Sequence, residues 1–115
     1  MGYRWQIYLV NLDPTVGSEQ GKTRPVLVIS DDDINAILPV MNILPITSYK
    51  QGRSIYPNEV FVNTTESGLD KDSIILCHQI RTIDKKRLIK RIGQIQQDHI
   101  KEDIVEALSF QLGLS

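Results

Sequence analysis

NLDPTVGSEQGKTRPVLVIS, residues Asn11 to Ser30, reads in three steps: the end of one strand, a polar loop, and a second strand of another kind. Asp13-Pro14 stops the first strand, which the apolar residues between Trp5 and Leu12 predict. Thr15 to Arg24 is almost without apolar side chains, and a loop of that length in a small domain often carries function. Pro25 then opens Val26-Leu27-Val28-Ile29, a continuous apolar run of the kind found in a strand covered on both faces. A central strand so near the N-terminus points to a β-rich domain.

The rest of the chain follows the same grammar. Asp31 to Leu38 predicts a short helical turn with Asp at its N-cap, and the run after Pro39 predicts a strand ending at Thr47-Ser48. Glu59 to Val62 is a short strand, and Ser67-Gly68-Leu69-Asp70 a turn. Ser73 to Ile83 is strand-like throughout with a bend midway, and Ile89 to Ile95 is the last strand, where Gly93 marks a bulge or a close backbone approach. From Asp98, taken as N-cap, Ile100, Ile104, Leu108 and Leu112 recur every four residues with Ala107 beside them and Gly113 beyond. The expected fold is mainly β with short helices: a strongly bent sheet or partly open barrel closed by an amphipathic C-terminal helix, as one domain over residues 1–115.

Composition agrees. A chain of 115 residues with 41% apolar and 23% charged residues can bury one core without disulfides. Its single cysteine, Cys77, fits a reducing compartment. No apolar run approaches the roughly 18 residues of a membrane span, and the N-terminus lacks a secretory pattern, so a cytoplasmic location is expected. Asn63-Thr64-Thr65 matches a glycosylation acceptor, a match read as chance. Net charge is −1, but Arg81, Lys85, Lys86, Arg87, Lys90 and Arg91 face only Asp84 within their stretch, a basic run suited to a polyanion or to a solvated surface.

Candidate chemistry centres on Arg24. Between a polar loop and a buried strand, with Pro25 holding its backbone extended, it offers a guanidinium fork that matches a phosphate and the charge of a pentavalent phosphorus. The plainer alternative is an ion pair with Glu19 or Asp13. Thr47 and Ser48, at a strand end, present hydroxyls for a phosphate or ribose oxygen, and His78 is a group able to accept a proton near neutral pH. Tyr49 and Lys50 in the following loop, with Tyr56 further on, are candidates for stacking and backbone contact with RNA. His78 and His99 are far apart with one cysteine between the strands, no zinc spacing is present, and Gly17 and Gly21 lack the Lys-Ser/Thr of a phosphate loop. Neither a metal nor a cofactor is expected.

Three stretches, NLDPTVGSEQGKTRPVLVIS (11–30), LPITS (44–48) and DSIILCHQIRTIDKKRL (72–88), resemble the MazF/PemK family of toxin–antitoxin ribonucleases, which includes the Kid toxin, and the resemblance extends over nearly the whole chain. It implies an SH3-like small β-barrel and a homodimer. It also implies metal-independent, sequence-specific cleavage of single-stranded RNA by 2′-hydroxyl attack, leaving a 2′,3′-cyclic phosphate and a 5′-hydroxyl, with a cognate MazE-like antitoxin blocking the groove. Residue by residue, Arg24 would stabilise the transition state and Thr47 position the scissile phosphate. Glu19 and Gln20 would lie in the loop beside them, with Gln79 and then Arg81 lining the RNA groove. Where Kid-like members carry an acid as base, this chain has His78, expected to take over as proton acceptor; Ser18 and Gln6 also depart from the pattern. Two other readings share the fold. A gyrase-binding toxin of CcdB type would need a terminal tryptophan motif, whereas this sequence reads Leu112-Gly113-Leu114-Ser115; a non-catalytic SH3-like module would need no pairing of Arg24 with Thr47.

Overall fold

The computed structural model describes residues 2–114, so the two terminal residues of the expected 1–115 domain lie outside the described residues. The strands are β1 (Gln6–Asn11), β2 (Thr23–Val28), β3 (Val40–Ser48), β4 (Glu59–Val62), β5 (Ser73–Leu76), β6 (Arg81–Asp84) and β7 (Leu88–Gln94). The helices are α1 (Asp32–Asn35), α2 (Thr64–Ser67) and α3 (Asp98–Leu112). The strands form one antiparallel sheet in the order β4-β5-β3-β2-β1-β7. β3 changes neighbour along its length, pairing β6 over Val40–Ile43 and β5 over Ile46–Ser48.

The expected single strand from Ser73 to Ile83 is therefore two strands joined by a 3₁₀ turn at Cys77–Gln79. The turn lets one segment serve both halves of β3, and it lifts His78 and Gln79 out of the ladder. Val26 to Ile29 is buried on both faces as expected, because the sheet separates two apolar clusters. Leu27 and Ile29 join Leu44, Ile46 and the helix residues Ile100 and Ile104 on one face. Val26 and Val28 join Val10, Met41 and Ile43 on the other. Each fully buried side chain of this kind contributes about 1.5–3 kcal/mol.

The sheet does not close, since β4 and β7 keep outer edges. The short helix α2, which follows β4, spans the opening and rests on β7 at Gly93. A Cβ there would sit 2.4 Å from the Ser67 carbonyl oxygen, which explains the glycine as a close approach, and the β1–β7 register slips beside it. Asn63, read in the sequence only as part of a glycosylation pattern, caps α2: its side chain accepts from Glu66 N and the Glu66 carboxylate accepts from Asn63 N, a capping box.

Asp31 caps α1 as expected. For α3 the cap is Gln97, with no side-chain bond, and Asp98 is the first helical residue, where its charge favours the positive end of the helix. Gly113 ends the helix with a left-handed φ of 69°, as the sequence predicts. Ile100, Ile104 and Ala107 are buried, but Leu112 is 48% exposed. Steps of four residues advance about 40° beyond a full turn, so the stripe drifts off the core by its third step. Among the described residues, no helix is long and apolar enough to cross a membrane.

Candidate active site

β2 and β3 pair from Val26 opposite Pro45 to Val28 opposite Ile43. Alternation puts Arg24 on the same face as Val26, and Thr47 on the same face as Pro45. Just beyond the paired residues, Arg24 and Thr47 line one cavity of about 300 Å³ together with Lys22, Ser48 and Ser73. Thr47 is half-buried and Ser48 exposed.

Arg24 is half-buried, and its Nε donates to the Gly21 carbonyl at 2.8 Å. Neither acid considered as its partner takes that role. The Glu19 carboxylate accepts from Val16 N at 2.7 Å and tightens the loop on itself. Asp13 accepts from Lys22 N at 2.9 Å and closes the loop's base. Among the described residues, ion pairs form only at Arg4–Asp31 and Arg53–Glu59. A guanidinium held by Nε keeps its terminal nitrogens available for a bidentate anion contact.

A second cavity, of about 400 Å³, lies one step back along the same face of β3 and is lined by Glu19, Gln20, Pro45, His78, Gln79 and Arg81 among others. Gln79 accepts from Gln20 N at 3.2 Å and donates to Ser18 O at 3.1 Å. Arg81 donates through Nη1 to Leu12 O at 2.8 Å, so part of its donor set already serves the end of β1. Arg87 likewise serves the Asn11 and Asp13 carbonyls, which makes two of the basic run's three arginines fasteners of the chain. Arg91 and the remaining lysines Lys86 and Lys90 are exposed.

His78 is exposed and does not share the cavity of Arg24 and Thr47. It lines the second cavity and, on its other side, a third of about 500 Å³ with Arg53, Tyr56, Glu59 and Phe110. Tyr49 packs edge-on against Phe61 at 5.1 Å and 84°, which occupies one side of the ring considered for stacking. Tyr56 is 59% exposed and is the freer platform. Lys50 is exposed beside them.

One strong element gave no signal in the sequence. Arg53 clamps Glu59 through two bonds of 2.9 and 2.8 Å, and Tyr56 N adds a third at 3.1 Å. The Arg53 hydrogen bonds hold the Glu59 carboxyl below the usual carboxylate range against the opposing effect of burial. Below it, burial and then the Glu59 charge push the Cys77 thiol up to about 12. Among the described residues, no three His, Cys, Asp or Glu side chains gather as a metal site would require.

An arginine and a threonine lining one cavity on an open β sheet define the kind of site expected of a small nuclease or phosphate-binding module. Residues 3–112 match the family described as PemK-like, MazF-like toxin of type II toxin–antitoxin system, and the chain belongs to it. It is 40% identical over 111 residues to a protein named Endoribonuclease EndoA from Bacillus subtilis (strain 168), covering 96% of this chain and 94% of that one. In structure it is similar to the Mycobacterium tuberculosis toxin MazF-mt6, with a TM-score of 0.76 at 25% identity over 96% of this chain and 98% of that chain. It is also similar to a chain of the MazE–MazF crystal structure from Deinococcus radiodurans, with a TM-score of 0.74 at 25% identity over 97% and 96%.

Proposed function

We propose that this toxin is a metal-independent endoribonuclease that cuts single-stranded RNA at the cavity shared by Arg24 and Thr47. The observation that carries the reading is that Arg24 lines one cavity with Thr47, its Nε tethered and, among the described residues, no carboxylate in an ion pair with it. In the reaction the substrate's 2′-oxygen forms a bond to the adjacent phosphorus as the bond to the 5′-oxygen breaks, and the leaving 5′-oxygen takes up a proton from solvent to become a hydroxyl. Negative charge gathers on the non-bridging oxygens, and the Arg24 fork opposes it where it develops. The Thr47 hydroxyl donates to a phosphate oxygen and fixes its orientation. His78 accepts the 2′-hydroxyl proton, with the RNA backbone crossing from the first cavity to the second, where Gln20, Gln79 and Arg81 border it. Ser48 lines the first cavity, and Tyr49 and Lys50, which follow it in the chain, add contacts to the RNA beyond it.

The toxin works as a homodimer in the cytoplasm, and a MazE-like antitoxin silences it by covering the same cavities. The name of the Bacillus subtilis relative supports the ribonuclease activity, and the MazE–MazF structure from Deinococcus radiodurans supports the antitoxin. The test is incubation of purified protein with mixed-sequence single-stranded RNA in EDTA, followed by end-group analysis. Discrete fragments with 5′-hydroxyl and 2′,3′-cyclic phosphate ends are expected. Intact RNA, cleavage abolished by EDTA, or 5′-phosphate ends would overturn the reading.

A further inference from the structure

Resting on that role for Arg24, we propose that Gln79 is a positioning residue: it clamps the tip of the loop between β1 and β2, and through Gly21 it aims the Arg24 guanidinium. The loop has two sets of fasteners. At its base, Leu12 N donates to Lys22 O at 2.8 Å and Lys22 N to Asp13 Oδ1 at 2.9 Å. At its tip, Val16 and Glu19 bond only to each other. Among the described residues, the hydrogen bonds that tie this tip to another element are the two made by the Gln79 carboxamide, to Gln20 N and to Ser18 O.

Both ends of that amide are engaged, oxygen to a donor and nitrogen to an acceptor, so a single orientation satisfies it. A side chain used in this way acts on the RNA through the loop and not by reading a base. Gln20 is followed directly by Gly21, whose carbonyl accepts the Arg24 Nε–H at 2.8 Å. Gly21 is itself tightly seated, since a Cβ there would lie 2.6 Å from both Asp13 Oδ1 and Thr15 Oγ1. The Gly21 carbonyl is thus held from two sides, by the Lys22 N–Asp13 bond at the base and by the clamped Gln20 at the tip, and loss of the clamp leaves the acceptor of the guanidinium held from the base alone, while the cavity walls contributed by β2 and β3 stay where they are.

Two variants separate this from other roles. Gln79→Met keeps the length of the side chain and removes both bonds. Gln79→Glu keeps an acceptor for Gln20 N but sets a carboxylate oxygen against the Ser18 carbonyl. For both, the single-turnover rate at saturating RNA falls about 10- to 100-fold, the scale of loss that misplacing a reacting group by about 1 Å produces. The loss falls on this rate more than on KM, and the cleavage sequence stays that of the parent. The NMR signal of the Arg24 Nε–H, assigned by its loss in Arg24→Ala, exchanges with solvent faster in both variants, with circular dichroism unchanged. Combined with Arg24→Ala, Gln79→Met has no further effect on rate, because the two act as one unit. An Arg24 Nε–H as protected as in the parent would overturn the clamp. So would a raised KM with an unchanged saturating rate and altered cutting sequence, which would make Gln79 a direct RNA contact. Because the exchange measurement needs no substrate, failure of the clamp is distinguishable from failure of the ribonuclease reading, which a parent protein inert on RNA would reveal.

Discussion

The two loops that border the candidate site are held by opposite means. The loop from Leu12 to Lys22 has an exposed tip, with Val16 79% exposed, and is tied down by neutral hydrogen bonds to Gln79, some sixty residues away in the chain. The loop from Tyr49 to Asn58 is locked locally by the Arg53–Glu59 pair, six residues apart, with Glu59 only 7% exposed. A neutral, remote clamp ties the first loop to the turn that carries His78. A charged, local clamp makes the second rigid whatever occupies the site, and sensitive to acid. Damage to the first should reach activity before stability, and damage to the second the reverse.

The largest expected effect falls on His78, which stands between the two loops and lines a cavity with each. His78→Ala should lower the cleavage rate about 100-fold or more and change the shape of the rate–pH profile if it accepts the 2′-hydroxyl proton. An unchanged rate and profile would remove it from the chemistry. Next, Arg53→Ala leaves the Glu59 carboxylate buried and unpaired. Urea unfolding should show a loss of about 2–3 kcal/mol, at or below the low end for fully buried pairs because solvent reaches Arg53. No loss would mean the second loop is held by packing alone.

A smaller effect follows from pH. Because the Arg53 bonds depress the folded-state pKa of Glu59, the pair's contribution is present above the unfolded carboxylate value of about 4.3 and is lost as pH falls through the lower folded value. The urea midpoint should decline on the acid side, and Glu59→Gln should flatten that decline. The smallest effect is on Cys77, fully buried with its thiol pushed up to about 12 by burial and the nearby Glu59 charge. Native protein should resist alkylation at mildly alkaline pH and react only on unfolding; rapid labelling of folded protein would show that the core beneath the second loop opens.

These contrasts also mark what can be read from residues in a line. Val26 to Ile29 announces a doubly buried strand because continuous apolar runs have few other uses, and Asp31 and Gly113 mark helix ends because capping is local chemistry. Gly93 was legible as a close approach, but its neighbour Ser67 was not, since the contact is long-range. The capping box of Asn63 and Glu66 was present as spacing, hidden in a polar stretch with another explanation to hand. Arg24 and Thr47 stood out singly, and only the folded sheet brings them to one cavity. The Gln79 clamp and the Arg53–Glu59 pair join polar residues with no periodicity, so nothing in one dimension distinguishes them from solvated side chains. His78 drew attention for its chemistry, and the 3₁₀ turn that exposes it interrupts what the sequence shows as one continuous strand.

The central claim is that a tethered Arg24, without an acid partner among the described residues and sharing its cavity with Thr47, stabilises the charge of RNA cleavage. It is tested most directly by the single-turnover cleavage rate of Arg24→Ala beside the parent in EDTA, with melting temperature recorded for both. The rate should fall about 100-fold or more, the scale of losing one transition-state donor, with the melting temperature unchanged. Near-parent cleavage by a well-folded Arg24→Ala protein would contradict it and move the site elsewhere on the sheet.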